Sequence, residues 1–232
     1  GAAFVLLVVG ATGLAQGLSL GDHYLPKVLM GFAVVLGLLV LLLPAHEPHR
    51  RLGPASQVTL VRAVLTALLF GLIGEGSSAA VLWTACALAM LAEGLDGVDG
   101  WLARRGGWVS PFGARFDMEI DALLVMVLAL LVWSLDRAGV WVLAAGLLRY
   151  VFLAAGLAWP SMRRPLPPSR RRQAVCVIQV LSLVLALMPV FSVSWSAMLA
   201  GAGLLVLCYS FAVDTLWLAR RAGRPLATGE LP

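Results

Sequence analysis

"EGLDGVDGWLARRGGWVSPFGARFDMEIDALLVM", residues 93–126, gathers six carboxylates within 29 residues, from Glu93 to Asp121. Glycines and three arginines interrupt them, and an uninterrupted apolar run follows. Apolar residues also lead into the passage, so the charge lies between two greasy segments. The rest of the chain is of the same kind. Its 232 residues are 61% hydrophobic and only 12% charged, with a mean hydropathy of +0.94. A soluble body of this length needs more polar surface. Most of the apolar area must therefore face lipid or other lipid-embedded helices, and the fold class expected is an all-α polytopic membrane helix bundle.

Working outward from the passage, apolar runs lie at about 2–20, 27–44, 57–74, 78–95, 117–134, 139–159, 173–190 and 195–219. Most are near the length a helix needs to cross hydrocarbon, which predicts about eight spans. The opening stretch lacks the basic start and small-residue cleavage pattern of a signal peptide, so it reads as a helix. Basic residues assign the sides. Thirteen of the seventeen fall in segments 45–56, 96–116, 160–172 and 220–232, whereas the opposite connections carry only Lys27 and Arg137. The positive-inside rule then puts both termini and the acidic passage in the cytoplasm. Loops this short hold no soluble domain. Cys86, Cys176 and Cys208 lie far apart in apolar runs, without the spacing of a disulfide framework or zinc site, and read as small buried hydrophobes. The basic residues are parcelled between spans, and no nucleic-acid-binding motif accompanies them. Their expected partners are lipid headgroups, with the run Ser169–Gln173 also able to hold an acidic substrate.

Asp96 and Asp99 are three residues apart, and Asp117 and Asp121 four apart. On helices each pair presents its carboxylates on one face. Two helices crossing near their ends would bring four carboxylates together, where like charges repel and lose hydration. Divalent cations resolve that conflict, and hard oxygen ligands suit Mg²⁺ or Mn²⁺, with Ca²⁺ a third option. With no nearby His or Cys, zinc is disfavoured. Gly97 and Gly100 keep one face bare for a phosphate to approach. Gly106, Gly107, Pro111 and Gly113 are expected to form the turn that returns the second helix. A nucleoside triphosphatase is excluded by the lack of a P-loop. Helix capping, or pairing with Arg104, Arg105 and Arg115, is the structural alternative for any one aspartate. Glu93, one turn before Asp96, is a candidate support; Glu119 should face away from Asp117 and Asp121 and suits an arginine pair.

The order Asp96-Gly97-x-Asp99-Gly100-x-x-Ala103-Arg104, then eight residues, then Gly113-x-x-x-Asp117-x-x-x-Asp121 resembles the signature of the CDP-alcohol phosphotransferase (CDP-alcohol phosphatidyltransferase) family. Every signature position is filled. Thr59-x-x-Arg62 is similar to the polar motif on that family's first core helix. The resemblance implies a six-helix catalytic core at residues 56–219, with residues 1–55 as additional N-terminal helices and 220–232 as a basic cytoplasmic tail. It implies that Asp96, Asp99 and Asp117 ligate two divalent cations, Mg²⁺ or Mn²⁺, with Asp121 joining the metal site and acting as general base. Gly100, Ala103 and Arg104 would lie along the cytidine diphosphate, with Thr59, Arg62 and Arg149 as further binding candidates.

The implied reaction is transfer of a phosphatidyl group from CDP-diacylglycerol to a small polar alcohol acceptor, releasing CMP, in phospholipid biosynthesis at a bacterial inner membrane. Another CDP-linked donor or a lipid acceptor remains an alternative. Arg62, Arg149 and Asp214 are charged residues within apolar runs, which face an interior or a pocket. Two readings stand: a buried pair of Arg62 or Arg149 with Asp214, or an acceptor pocket in which arginines hold an anion. The extra N-terminal helices are open to three uses: covering the bundle, forming a homodimer face, or shaping lipid access. A transporter is the competing class, but its charges should gather at mid-membrane, whereas the strongest cluster here sits at helix ends. A plain scaffold leaves the spaced aspartates unaccounted for.

Overall fold

A computed structural model describes residues 2–42, 54–106, 111–159 and 169–221, with side chains described over 2–41, 56–98, 112–159 and 169–220. Among the described residues eight α-helices follow one another: α1 Ala2–Gly17, α2 Tyr24–Leu42, α3 Pro54–Gly71, α4 Ala79–Gly106, α5 Pro111–Ser134, α6 Ala144–Ala158, α7 Arg170–Leu187 and α8 Val193–Arg221. A 3-10 turn, Val140–Leu143, leads into α6. No strand occurs among the described residues. Helices are the expected answer for an apolar chain in lipid, because each satisfies its own backbone polar groups. Pro54 and Pro111 stand at the first positions of α3 and α5, where a missing N–H costs nothing and the fixed φ is already helical.

Each expected apolar run corresponds to one helix, with two differences. α4 does not stop near residue 95 but continues through the acidic passage to Gly106. α5 likewise starts at Pro111, so Gly113 lies inside its first turn rather than in the connection. The helix-forming residues between the carboxylates outweigh the glycines, and both acid pairs are thereby helical. Of the expected turn, Gly107 lies outside the described residues. Among the described residues four helical stretches are long and apolar enough to cross a membrane by length and composition: Tyr24–Leu41, Ala79–Val98, Val140–Ala158 and Val193–Arg220. α1 and α3 are apolar but shorter. The chain is an integral membrane protein, an all-α helix bundle.

α3 is the hub, packing against α1, α2, α4 and α5, while α7 packs against α4, α5 and α8. Between them lies an apolar core that includes Leu69, Leu72, Leu128, Leu131 and Leu183, all with no exposed surface. Large apolar residues such as Val9, Leu41, Leu157 and Leu205 point outward, as lipid-facing positions should. Glycines permit close approaches between helices, two of them between α3 and α2 and between α6 and α5. A Cβ on Gly71 would come 2.4 Å from Val28 and 2.7 Å from Tyr24, and one on Gly146 would come 2.7 Å from the Met126 Cα.

The two basic residues that break the charge asymmetry have local uses. Arg137 donates to the Met188 carbonyl, tying the connection after α5 to the end of α7. Lys27 donates to the Ile73 carbonyl at 2.6 Å and pairs with Glu75 at 2.5 Å. Glu75 sits between Gly74 and Gly76, both at positive φ (79° and 92°), a backbone that glycine adopts without strain. That turn aims the carboxylate at the Gly21 N–H, which donates to it at 2.7 Å. Burial alone would push the Glu75 carboxyl up. The hydrogen bonds from Lys27 and Gly21 and the charges of Lys27 and His23 outweigh burial and hold it below its ordinary value. A depressed carboxyl stabilises the fold fully above the unfolded value of about 4.3 and loses that contribution as pH falls through the lower folded value. Thermal unfolding in lipid should therefore show an acid-side loss of stability that Glu75→Gln reduces. Equal acid sensitivity in the two proteins would remove Glu75 as its source.

Candidate metal centre

The site begins with Arg62. It lies on α3 with no exposed surface, and its guanidinium is directed at α4 and at the N-terminal half of α5. The Nε donates to the Ala92 carbonyl of α4 at 3.1 Å. One terminal nitrogen donates to Asp117 and lies 3.0 Å from Asp96; the other donates to Asp121. Arginine suits this position because its planar fork stays charged and serves several acceptors at once. Thr59, one turn earlier on α3, is buried as well, and Thr66 closes the following turn by donating to the Arg62 carbonyl.

Around Arg62 the three aspartates converge. One carboxylate oxygen each from Asp96, Asp117 and Asp121 lie within 4.8 Å of one another, and all three residues are half-buried. The i, i+4 spacing sets Asp117 and Asp121 on one face of α5, and the packing of α3 against α4 and α5 brings Asp96 to them. Among the described residues, these three carboxylates facing one guanidinium leave two negative charges. One divalent cation matches that charge, and the all-oxygen donor set suits a hard ion. The residues present therefore fit a metal. Asp99, Gly100, Ala103 and Arg104 are helical in α4, but their side chains lie outside the described ones.

The other charged residues inside apolar runs are placed differently from one of the two expectations. Asp214 pairs with neither Arg62 nor Arg149. It accepts from Arg171 and lies 3.7 Å from Arg172, because α7 and α8 are packed side by side. Arg171 also donates to the Ser210 carbonyl at 2.9 Å. Arg149 on α6 donates to Glu119, so Glu119 takes the arginine pair anticipated for it and turns from the aspartate face. Glu93 is half-buried on α4. Arg163 and Arg164 lie outside the described residues.

Two features escaped the sequence. Arg62 was recognisable as a buried charge, but nothing in its neighbours shows that it serves three aspartates 34 or more residues away. Cys176, read as apolar filler, lies on α7 within electrostatic reach of Asp121, Glu93 and Asp96. No local signal marks it, since only the packing of α7 on α4 and α5 brings it there.

A family model described as CDP-alcohol phosphatidyltransferase matches residues 53–212. The chain belongs to the CDP-alcohol phosphatidyltransferase family. The matched part opens just before α3 and ends within α8, so it contains the three helices that carry Arg62 and the aspartates. No curated protein and no solved structure matches the chain. Family and site together make this an enzyme of the phosphotransferase type, with a metal-assisted reaction of the CDP-alcohol class. A CDP-linked lipid donor and a polar acceptor are what membership implies in general.

Proposed function

We propose that this enzyme transfers a phosphatidyl group from CDP-diacylglycerol to a small polar alcohol and releases CMP. The observation that carries the reading is the convergence of Asp96, Asp117 and Asp121 within 4.8 Å inside a family-matched helix bundle. In this reading Asp96, Asp99 and Asp117, joined by Asp121, hold two divalent cations, Mg²⁺ or Mn²⁺. Such ions, when bound, would neutralise charge on the pyrophosphate and on departing CMP. Asp121 takes the acceptor's hydroxyl proton. The acceptor oxygen then forms its bond to the phosphatidyl phosphorus as the bond from that phosphorus to the CMP oxygen breaks.

The chain's other residues bind and orient. Arg62 holds the aspartates in register, and Gly100, Ala103 and Arg104 lie along the cytidine diphosphate. Thr59, buried one turn from Arg62, and Arg149, paired with Glu119, are the remaining candidates for substrate contact. All eight helices cross the membrane in this reading, residues 56–219 form the catalytic core, and the acidic site faces the cytoplasm. The donor's tails stay in lipid while its pyrophosphate enters from the cytoplasmic rim, and excluding bulk water there limits hydrolysis of the donor.

The deciding experiment uses purified protein in lipid with CDP-diacylglycerol and a pooled set of alcohol acceptors, with CMP and new lipids identified together by mass spectrometry. Mg²⁺ or Mn²⁺ should yield CMP and one new phospholipid in equal amounts, chelation should abolish both, and returning the ion should restore them. CMP from a different CDP-linked donor alone would replace the donor assignment. Folded protein that neither turns over nor binds any cytidine diphosphate would end the transferase reading.

A further inference from the structure

α1 and α2 precede residue 53, where the family match begins, yet α2 reaches the acidic site. Val35 on α2 is 2% exposed and belongs to a small apolar cluster separate from the main core, with Ala63 of α3 and Phe112, Phe116 and Ile120 of α5. Leu39, Leu60 and Leu123 pack around it. The Phe112 and Phe116 rings are stacked, with centroids 5.9 Å apart and an angle of 11°. The register is informative. Ala63 follows Arg62, while Phe116 and Ile120 immediately precede Asp117 and Asp121. The cluster is therefore built from the residues adjacent to the ion-pairing ones, on both α3 and α5.

We infer that α2 is a positioning element of the metal centre, acting through Val35 as a wedge that sets the rotation of α5 against α3. This rests on the metal-assisted reading of the aspartates. A carboxylate oxygen roughly 6 Å from its helix axis moves roughly 1 Å for each 10° of helix rotation. Metal sites require their ligands held to about 0.5 Å. A loosened wedge thus disturbs Asp117 and Asp121 without touching either.

α2 can act as a strut because its other end is clamped. Lys27 pairs with Glu75 and donates to the Ile73 carbonyl, and the Tyr24 hydroxyl donates to the Leu68 carbonyl at 3.4 Å. The missing side chain of Gly71 lets Val28 and Tyr24 close onto α3, and a Cβ on Gly31 would already be 3.1 Å from the Phe70 ring. Between this clamp and Val35 run about two helical turns, long enough to carry position and too short to bend freely.

The test measures Mn²⁺ binding by electron paramagnetic resonance on the full chain in phosphatidylcholine nanodiscs, beside the Mn²⁺ dependence of CMP release. Val35→Ala should weaken Mn²⁺ binding by about 10-fold, the scale of lost support behind metal ligands. Turnover should recover at saturating Mn²⁺, and Val35→Ile should behave like the native protein. Leu36→Ala, at an exposed position on the same helix, should change nothing. Native affinity in Val35→Ala, or an equal loss in Leu36→Ala, overturns the inference. If Val35→Ala does not fold, Leu39→Ala at the cluster's edge should give a smaller shift in the same direction, and its absence overturns the inference too. Native protein that binds Mn²⁺ yet releases no CMP would instead count against the transferase reading, leaving the Val35 comparison decided by binding.

Discussion

Asp121→Asn is expected to reduce metal-dependent CMP release by about 10²–10⁴-fold, the range for losing a positioned acid–base group, with the fold retained. The amide is nearly isosteric with the carboxylate and keeps an oxygen to accept from Arg62, whose guanidinium now bonds Asp121. Two properties disappear. An amide cannot take the acceptor proton, and the cluster falls from three carboxylates to two, weakening its hold on a divalent cation. These are separable by experiment. If saturating Mn²⁺ restores turnover, charge was the loss; if turnover stays low while Mn²⁺ binds, the base was. Activity within a few-fold of native under all conditions would remove Asp121 from both roles.

Arg62→Met should destabilise the protein, by less than the roughly 3–5 kcal/mol for breaking a fully buried ion pair, because the three aspartates are only half-buried and water screens them. Methionine fills much of the arginine stem's volume, so the loss is chiefly electrostatic: Asp96, Asp117 and Asp121 would face one another with no cation beneath them. Arg62→Lys should fall between, since an ammonium keeps the charge but cannot reach the Ala92 carbonyl and the carboxylates together. A ligand that binds only the folded state stabilises it by mass action. Mn²⁺ should therefore raise the melting temperature of Arg62→Met more than that of native protein. Equal melting temperatures for the native protein and Arg62→Met without divalent ion would show that Arg62 is not the counter-charge.

These two residues also mark how much was legible beforehand. The spacing of Asp117 and Asp121 is a local property of one helix, and four residues is about one turn, so their shared face follows from the chain order. The same holds for the Glu119 carboxylate, which points away and meets Arg149. Arg62 and Asp214 were both visible as charges within apolar runs, but their pairing with each other was a wrong expectation. Each instead meets partners on neighbouring helices, Arg62 the aspartates of α4 and α5 and Asp214 the α7 pair Arg171 and Arg172.

By itself, then, the sequence determined the membrane helix class, the helical runs, the acid pairs and their family signature, because composition and short-range periodicity act within one segment at a time. Tertiary structure alone decided which buried charge answers which, and the packing of Val35 against residues that flank Arg62, Asp117 and Asp121. In an apolar solvent any greasy face satisfies lipid equally well. Which faces meet is therefore set by close fit, such as that between Gly71 and Val28, and by ion pairs that form only once the helices have packed.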